Sequence, residues 1–544
     1  MPKFILLILI ACIGCTAEAQ KKQPKLVVGI VVDQMRNDYL QRYAPNFGEN
    51  GFKRLIREGF NAQNTHYNYI PTYTGPGHAS IYTGTTPKYH GIISNDWYSK
   101  VLKRNMYCVG DSTANGLGGS KMNGNKSPRN LLATTITDEL KTSNNFQSKV
   151  FSVSIKDRGA VLPAGHVADG AFWYDYKTGE FMSSDFYFDE LPSWAKRFNE
   201  QKLVDKYSNQ VWETLLPMKS YERSFPDDSP YESGFKGKDT PTLPYDLAEL
   251  RTKNEPYGLI RSTPFGNNLV LDFAKENIKA EELGKGSVTD FMAVSLSSTD
   301  YVGHNFGPNS VELEDTYVRL DRDLEDFLDF LDKTVGEGNY LLFLTSDHGV
   351  VANPQYLIDN NLPGGFSDNM EVKKFIKKSL KEILGEGDFL ESFSNGQLFF
   401  NESAIQGIGR DVEVTERYLA DRLLELPEVA ETYIGSDMTS REFDNPTASL
   451  IKNGYNNQLS GNVMLVLKPG YLPMYGNSKK GTSHGSGYNY DTHVPLLFFG
   501  TNVPKGSTNR KTYITDIAPT LSGLLEITLP NAAVLGEPIQ EIFE

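Results

Sequence analysis

The sequence predicts an α/β protein: a sandwich on a mostly parallel central sheet, with helices on both faces and inserted cap regions. Three observations predict it. Short apolar runs recur along the chain and are continuous, as in strands buried on both faces. Segments with apolar residues at a helical period separate several of them. Strand and helix alternate, which is the order that builds parallel βαβ connections. The chain has 544 residues, 39% of them hydrophobic. That is enough to bury a large core, as one big domain with insertions or as several domains.

Lys25 to Val32 is a β-branched run that ends at Asp33. Gly51 to Glu58 reads as an amphipathic helix. Pro71 to Ser80 (PTYTGPGHAS) is a tight turn leading into a helix at roughly His78 to Tyr82. Leu131 to Ser143 is helical, and Lys149 to Ile155 is a second strand, ending at Lys156-Asp157-Arg158. From about 159 to 263 aromatics, Pro, Asp and Ser mix without a period, which reads as an insertion or cap. Leu269 to Leu283 is a helix, and Asp290 to Leu296 a third strand that ends in Ser297-Ser298-Thr299-Asp300. Val311 to Val335 is a long amphipathic helix, and Tyr340 to Leu344 a fourth strand that ends at Thr345-Ser346-Asp347-His348. A second inserted unit spans about 371 to 472, with helices at Val372–Leu384 and Val412–Leu424 and a strand near Val463–Leu467. His484 follows in a Gly/Ser-rich loop, then a strand at Val494–Phe499 and a last helix at Thr515–Leu525. The expectation is one catalytic domain over 20–544 with insertions at about 159–263 and 371–472.

Residues 1–19 read as a signal peptide. Lys3 supplies the positive end, Phe4 to Ala11 the apolar run, and Ala17-Glu18-Ala19 the cleavage site. Lipoprotein processing at Cys12 is the rival reading, disfavoured because the apolar run before it is very short. The protein is therefore expected to be periplasmic or secreted, with no membrane span. Cys12 and Cys15 leave with the leader, so Cys108 alone remains. No intramolecular disulfide can form, and any metal must be held by histidine and carboxylate. The net charge of -14 argues against nucleic acid as the main partner.

Asp33, Lys156/Arg158, Asp300 and Asp347-His348 each fall at the carboxyl end of an apolar run. Ligands of open α/β sheets bind along that edge. Asp300 and His304, four apart, share one face if the segment is helical, and both could ligate one metal. His484 can approach a metal from its loop of small residues. Asp33, Asp300 and Asp347, with His304, His348 and His484 and the hydroxyl of Thr74, are enough ligands for two ions. A nitrogen and oxygen set without thiolate suits Zn²⁺; oxygen alone would suit Mg²⁺ or Ca²⁺. Thr74, on a constrained turn at a helix N-terminus, is the candidate nucleophile. Asp38 competes with Asp33 but lies past the strand end. Asp491 and His493 read as structural or supporting residues. His66, His78, His90 and His166 default to packing or surface roles.

These pieces stand in a particular order: Val32-Asp33-Gln34-Met35-Arg36, Pro71 to His78, Asp300-x-x-x-His304, Asp347-His348-Gly349 and His484-Gly485. That order resembles the alkaline phosphatase superfamily, in its type I phosphodiesterase/nucleotide pyrophosphatase branch. Lys156-Asp157-Arg158 makes the chain resemble more closely the phosphate-irrepressible (PafA-type) bacterial alkaline phosphatases. The resemblance covers essentially all of the chain after the leader. It implies an alkaline-phosphatase-like fold, two Zn²⁺ ions and small phosphate monoesters as substrates; a monomer is the expected state. It implies Thr74 as the residue that becomes phosphorylated. Asp33, Asp347 and His348 would hold the zinc beside Thr74, and Asp300, His304 and His484 the other. Asn95, Lys156 and Arg158 would bind the non-bridging phosphoryl oxygens, with the amides of Gly75 to Gly77 as helpers. A phosphodiesterase or nucleotide pyrophosphatase on the same bimetal site is the alternative. A sulfatase is disfavoured, since that branch uses Cys or Ser in a C/S-x-P-x-R motif and the Thr74 turn has neither. A non-catalytic binding protein is the remaining class.

Overall fold

The computed structural model describes residues 22–474 and 478–544; the expected leader at 1–19 lies outside them. Five parallel strands form the middle of a ten-stranded sheet: β1 (Leu26–Val32), β2 (Val150–Ser154), β3 (Gly170–Asp175), β4 (Asp290–Leu296) and β5 (Tyr340–Thr345), in the order β5-β1-β4-β2-β3. Antiparallel strands flank them, Leu496–Gly500 against β5 and Glu180–Ser184 against β3. β1 shows why the runs are continuous. Its even-numbered residues from Leu26 to Val32 enter one core, with the helices Phe265–Ala280 and Val311–Leu331. Val27 and Val31 enter the opposite core, with the helix Ile517–Leu525. Each buried aliphatic side chain contributes about 1.5–3 kcal/mol, so a polar residue at any of these positions would be costly. Gly29 interrupts the β-branched run because a Cβ there would lie 2.6 Å from the Phe343 ring and the Tyr82 hydroxyl.

Three helices carry or frame the polar edge. α1 (Thr74–Thr83) begins four residues earlier than the sequence suggests, so Thr74 is its first residue. α2 (Asp157–Ala164) follows β2, and α3 (Ser298–Phe306) follows β4. The registers align the strand ends: Val32 pairs with Leu296, Val31 with Thr345, and Ser295 with Ser154. Residues 33, 156, 300 and 347 therefore emerge along one edge.

The texture assigned to an insertion at 159–263 hides two strands of the main sheet. Gly170–Asp175 and Glu180–Ser184 extend it, so the departure from the sheet begins later than the sequence suggests. The run GAFWYD is buried throughout, but its aromatics and the polar residues around it masked the strand pattern. The second expected unit carries its own four-stranded sheet, Leu390–Ser394, Gln397–Phe400, Val463–Leu467 and Val429–Ile434. The helices Asn369–Leu384 and Val412–Leu423 pack on it around a separate core.

Candidate active site

The nucleophile candidate is held from below. Thr74 is 1% exposed at the start of α1. Its carbonyl accepts a bond from His78 Nδ1 at 2.9 Å, and His78 Nε2 lies 2.9 Å from Ser295 Oγ on β4. Burial lowers the His78 pKa to about 4, so this imidazole is neutral and works as a brace. No motif in the sequence pairs His78 with a partner; its i, i+4 spacing to Thr74 is the only hint. Gly77 lets α1 come close, since a Cβ there would lie 2.5 Å from the Asp347 carbonyl oxygen.

The amides expected to help bind an anion are not available for it. The Gly75 N–H donates to Asn95 Oδ1 at 2.8 Å, and the Gly77 N–H donates to the Tyr73 carbonyl at 2.9 Å. Pro76 has no N–H. The first bond fixes the Asn95 amide by its oxygen and leaves its NH₂ as the donating end. The donors left facing the Thr74 hydroxyl are side chains. Lys156 Nζ lies 3.3 Å from Thr74 Oγ1, and Arg158 Nη2 lies 3.5 Å from it.

The carboxylates and imidazoles gather in two sets. Asp300, His304 and His484 present ligand atoms within 4.8 Å of one another, as do Asp33, Asp300 and His348. His304 Nε2 lies 3.1 Å from Asp300 Oδ1, one turn away on α3, and His484 Nε2 lies 3.7 Å from the same oxygen. His348 Nε2 lies 3.4 Å from Asp33 Oδ1 and 3.7 Å from Asp347 Oδ2. Each of the three histidines gives its Nδ1–H to a backbone carbonyl: His304 to Thr482, His484 to Thr72 and His348 to Gly349. That fixes each ring's orientation and turns every Nε2 inward, the arrangement metal-binding histidines use. Lys156 bridges the sets, donating at 2.6 Å to both Asp33 Oδ2 and Asp300 Oδ2.

The electrostatics call for cations. Burial raises the pKa of Asp33 and of Asp347, the latter far above the usual range. Burial also acts on Asp300, but His304 and Lys156 outweigh it and hold its pKa well down. Burial lowers the His348 pKa to about 3 and puts that of His484 well below the usual value, which favours the neutral imidazole that metal binding needs. Asp33 Oδ1, Asp347 Oδ2 and His348 Nε2 are buried and have no hydrogen-bond partner among the described residues. Orphaned acceptors of this kind, pointing at one another, fit metal coordination by oxygen and nitrogen.

Two supporting residues complete the site. Gln34, with φ of 65°, donates from Nε2 to Asp300 Oδ1 at 2.6 Å, and its N–H donates to Asp347 Oδ1 at 3.1 Å. Nothing in the sequence marked Gln34 beyond its place after Asp33. Asp491 Oδ2 accepts from the Gly485 N–H, the Ser486 N–H and Ser486 Oγ at 3.0, 2.7 and 2.6 Å, which anchors the His484 loop. Asp491→Ala would free those donors and loosen His484; metal affinity is expected to fall about 10–100-fold, as read by competition with a chelator. His66 and His493 stack on each other at 4.5 Å, on a separate small sheet.

The strand ends of a mostly parallel sheet thus converge on one centre of carboxylates and imidazoles. The family profile described as "Type I phosphodiesterase / nucleotide pyrophosphatase" matches residues 27–491. The chain belongs to that family. It is 44% identical to "Alkaline phosphatase PafA" of Elizabethkingia meningoseptica, covering 96% of this chain and 94% of the relative. It is 46% identical to "Alkaline phosphatase PhoV" of Synechococcus elongatus, covering 99% of each. A Myroides odoratus relative named "Calcium-transporting ATPase" is 47% identical, covering 97% and 96%. The crystal structure of wild-type PafA superposes with a TM-score of 0.92 at 43% identity, covering 96% of this chain and 99% of that one. A PafA variant altered at a threonine, an asparagine, a lysine and an arginine matches with a TM-score of 0.91.

Proposed function

We propose that the protein is an alkaline phosphatase that hydrolyses small phosphate monoesters through a covalent phosphate on Thr74, with two zinc ions as cofactors. The observation that carries the reading is the Thr74 hydroxyl, set beside two cations and between two sets of inward-facing carboxylates and imidazoles. Asp33, Asp347 and His348 would hold one ion, together with Thr74, and Asp300, His304 and His484 the other. When bound there, zinc lowers the pKa of a coordinated hydroxyl and supplies Lewis-acid charge. Thr74 Oγ1 attacks phosphorus, the ester P–O bond breaks, and the alcohol departs with a proton. Water then cleaves the Thr74 phosphoester and releases inorganic phosphate. Asn95, Lys156 and Arg158 bind the non-bridging oxygens as charge shifts in the transition state. The PafA variant altered at the same four residue types supports these assignments.

The family description keeps a second reading in view, a phosphodiesterase or nucleotide pyrophosphatase. The two cations favour the monoester, which carries one more negative charge and has no second substituent to accommodate. The terminal phosphoryl of a nucleotide has the same dianionic character, so action on ATP would need no separate site. We further propose export to the periplasm or medium and a monomeric state; no described helix is long and apolar enough to cross a membrane.

Metal removal tests the cofactor assignment. Elemental analysis of the purified protein is expected to find two zinc ions per chain. Chelation is expected to lower stability by about 3 kcal/mol or more, seen as a fall in Tm that added zinc reverses. A chain with no stoichiometric metal and a Tm indifferent to chelator would contradict the assignment.

A further inference from the structure

The antiparallel hairpin formed by Asp96–Ser99 and Arg104–Tyr107 lies between the nucleophile and the second inserted unit. Asn95 immediately precedes its first strand, and the Cys108 N–H donates to the Asn95 carbonyl at 2.9 Å, which closes the hairpin's open end. Tyr107 closes its second strand. The Tyr107 hydroxyl donates to Asp157 Oδ1 at 2.5 Å and accepts from Arg158 Nη1 at 3.2 Å. Asp157 Oδ1 also accepts the Arg158 backbone N–H at 2.6 Å. Lys126 completes the surround, with Nζ 3.7 Å from Asp157 Oδ2 and 5.2 Å from the Tyr107 ring centroid. The guanidinium is thus held at Nη1 while Nη2 faces Thr74 Oγ1.

We propose that Tyr107, backed by Asp157, is a positioning residue that aims Arg158 at the phosphoryl oxygens. It thereby sets how strongly the enzyme prefers a dianionic phosphate group over a diester. The inference rests on the functional reading above and adds a residue to it. An arginine side chain has several rotatable bonds, and fixing one nitrogen removes much of the entropy lost when the other binds an oxygen. Tyr107 uses both capacities of its hydroxyl here, accepting from the cation and donating to the anion. A ring without the hydroxyl would keep the hairpin packing and lose the aim. The same hairpin presents Asn95, so one element orients two of the three phosphoryl-binding side chains. The second inserted unit braces it: Asn395 Nδ2 donates to the Asp96 carbonyl at 2.7 Å, and Lys103 pairs with Glu391. This gives that unit a structural part in substrate choice, which its sequence does not reveal.

The test is a double-mutant cycle on the zinc-loaded full-length protein, using Tyr107→Phe, Arg158→Ala and the pair. The substrates are p-nitrophenyl phosphate and its methyl diester. Tyr107→Phe is expected to lower kcat/KM for the monoester about tenfold and for the diester less than about twofold. Zinc content and Tm should stay at wild-type values. In the Arg158→Ala background, Tyr107→Phe should have no further effect. Equal losses on both substrates, or full additivity with Arg158→Ala, would overturn the proposal. If Arg158→Ala impairs the monoester and Tyr107→Phe does not, only the tyrosine's part fails. If Arg158→Ala is itself silent, the functional reading of the cation fails, and this inference with it.

Discussion

Thr74→Ala is expected to lower turnover of p-nitrophenyl phosphate by at least about a thousand-fold. The side chain is small, buried and at the first position of α1. Replacing it with alanine removes one hydroxyl and little else, and alanine favours helix. The His78 brace grips the Thr74 backbone carbonyl, so it survives the substitution. Thr74 is one of the proposed ligands, but the six carboxylates and imidazoles remain, and zinc should stay near two ions per chain. Loss of turnover with metal retained would separate a missing nucleophile from a collapsed site. Normal turnover with zinc bound would end the assignment of Thr74.

The second large effect concerns the cations. Lys156→Ala and Arg158→Ala are each expected to cut kcat/KM for a monoester about a hundred-fold, with a much smaller loss on a diester. Both losses arise because buried, charge-assisted contacts to a dianion exceed those to a monoanion. The two variants should differ in a second respect. Lys156 also touches Asp33 and Asp300, and burial of its ammonium is outweighed by those two carboxylates, which raise its pKa. Removing it leaves buried carboxylates without that partner, so Lys156→Ala should lower Tm in the metal-free protein more than Arg158→Ala does. Thermal melts of both apo variants check this.

Part of the site was legible because Asp33, Lys156, Asp300 and Asp347 each lie within four residues of the end of a strand of recognisable composition. Asp33, Lys156, Asp300 and Asp347 sit on that edge because the parallel registers align the strand ends, and a continuous apolar run marks where each strand stops. Helical spacing put Asp300 and His304 on one face, and α3 places them 3.1 Å apart. Residues that act from a distance were not legible. Tyr107 reaches Asp157 fifty positions on, through a hairpin that no periodicity announces. Gln34 works because its backbone takes a left-handed turn that a sequence does not display. The amides of Gly75 and Gly77, expected to help hold an anion, are bonded within the protein. Asn95 uses one of them, and that pairing exists only in three dimensions. The strands Gly170–Asp175 and Glu180–Ser184 are hidden in the sequence because aromatics and short polar residues obscure the buried run of the first.

The most direct test is the ratio of kcat/KM for p-nitrophenyl phosphate to that for its methyl diester, measured on the zinc-loaded wild-type protein. The arrangement of Thr74, Lys156 and Arg158 predicts a monoester preference of about a hundred-fold or more. A preference for the diester would contradict it and would make the protein a phosphodiesterase built on the same centre.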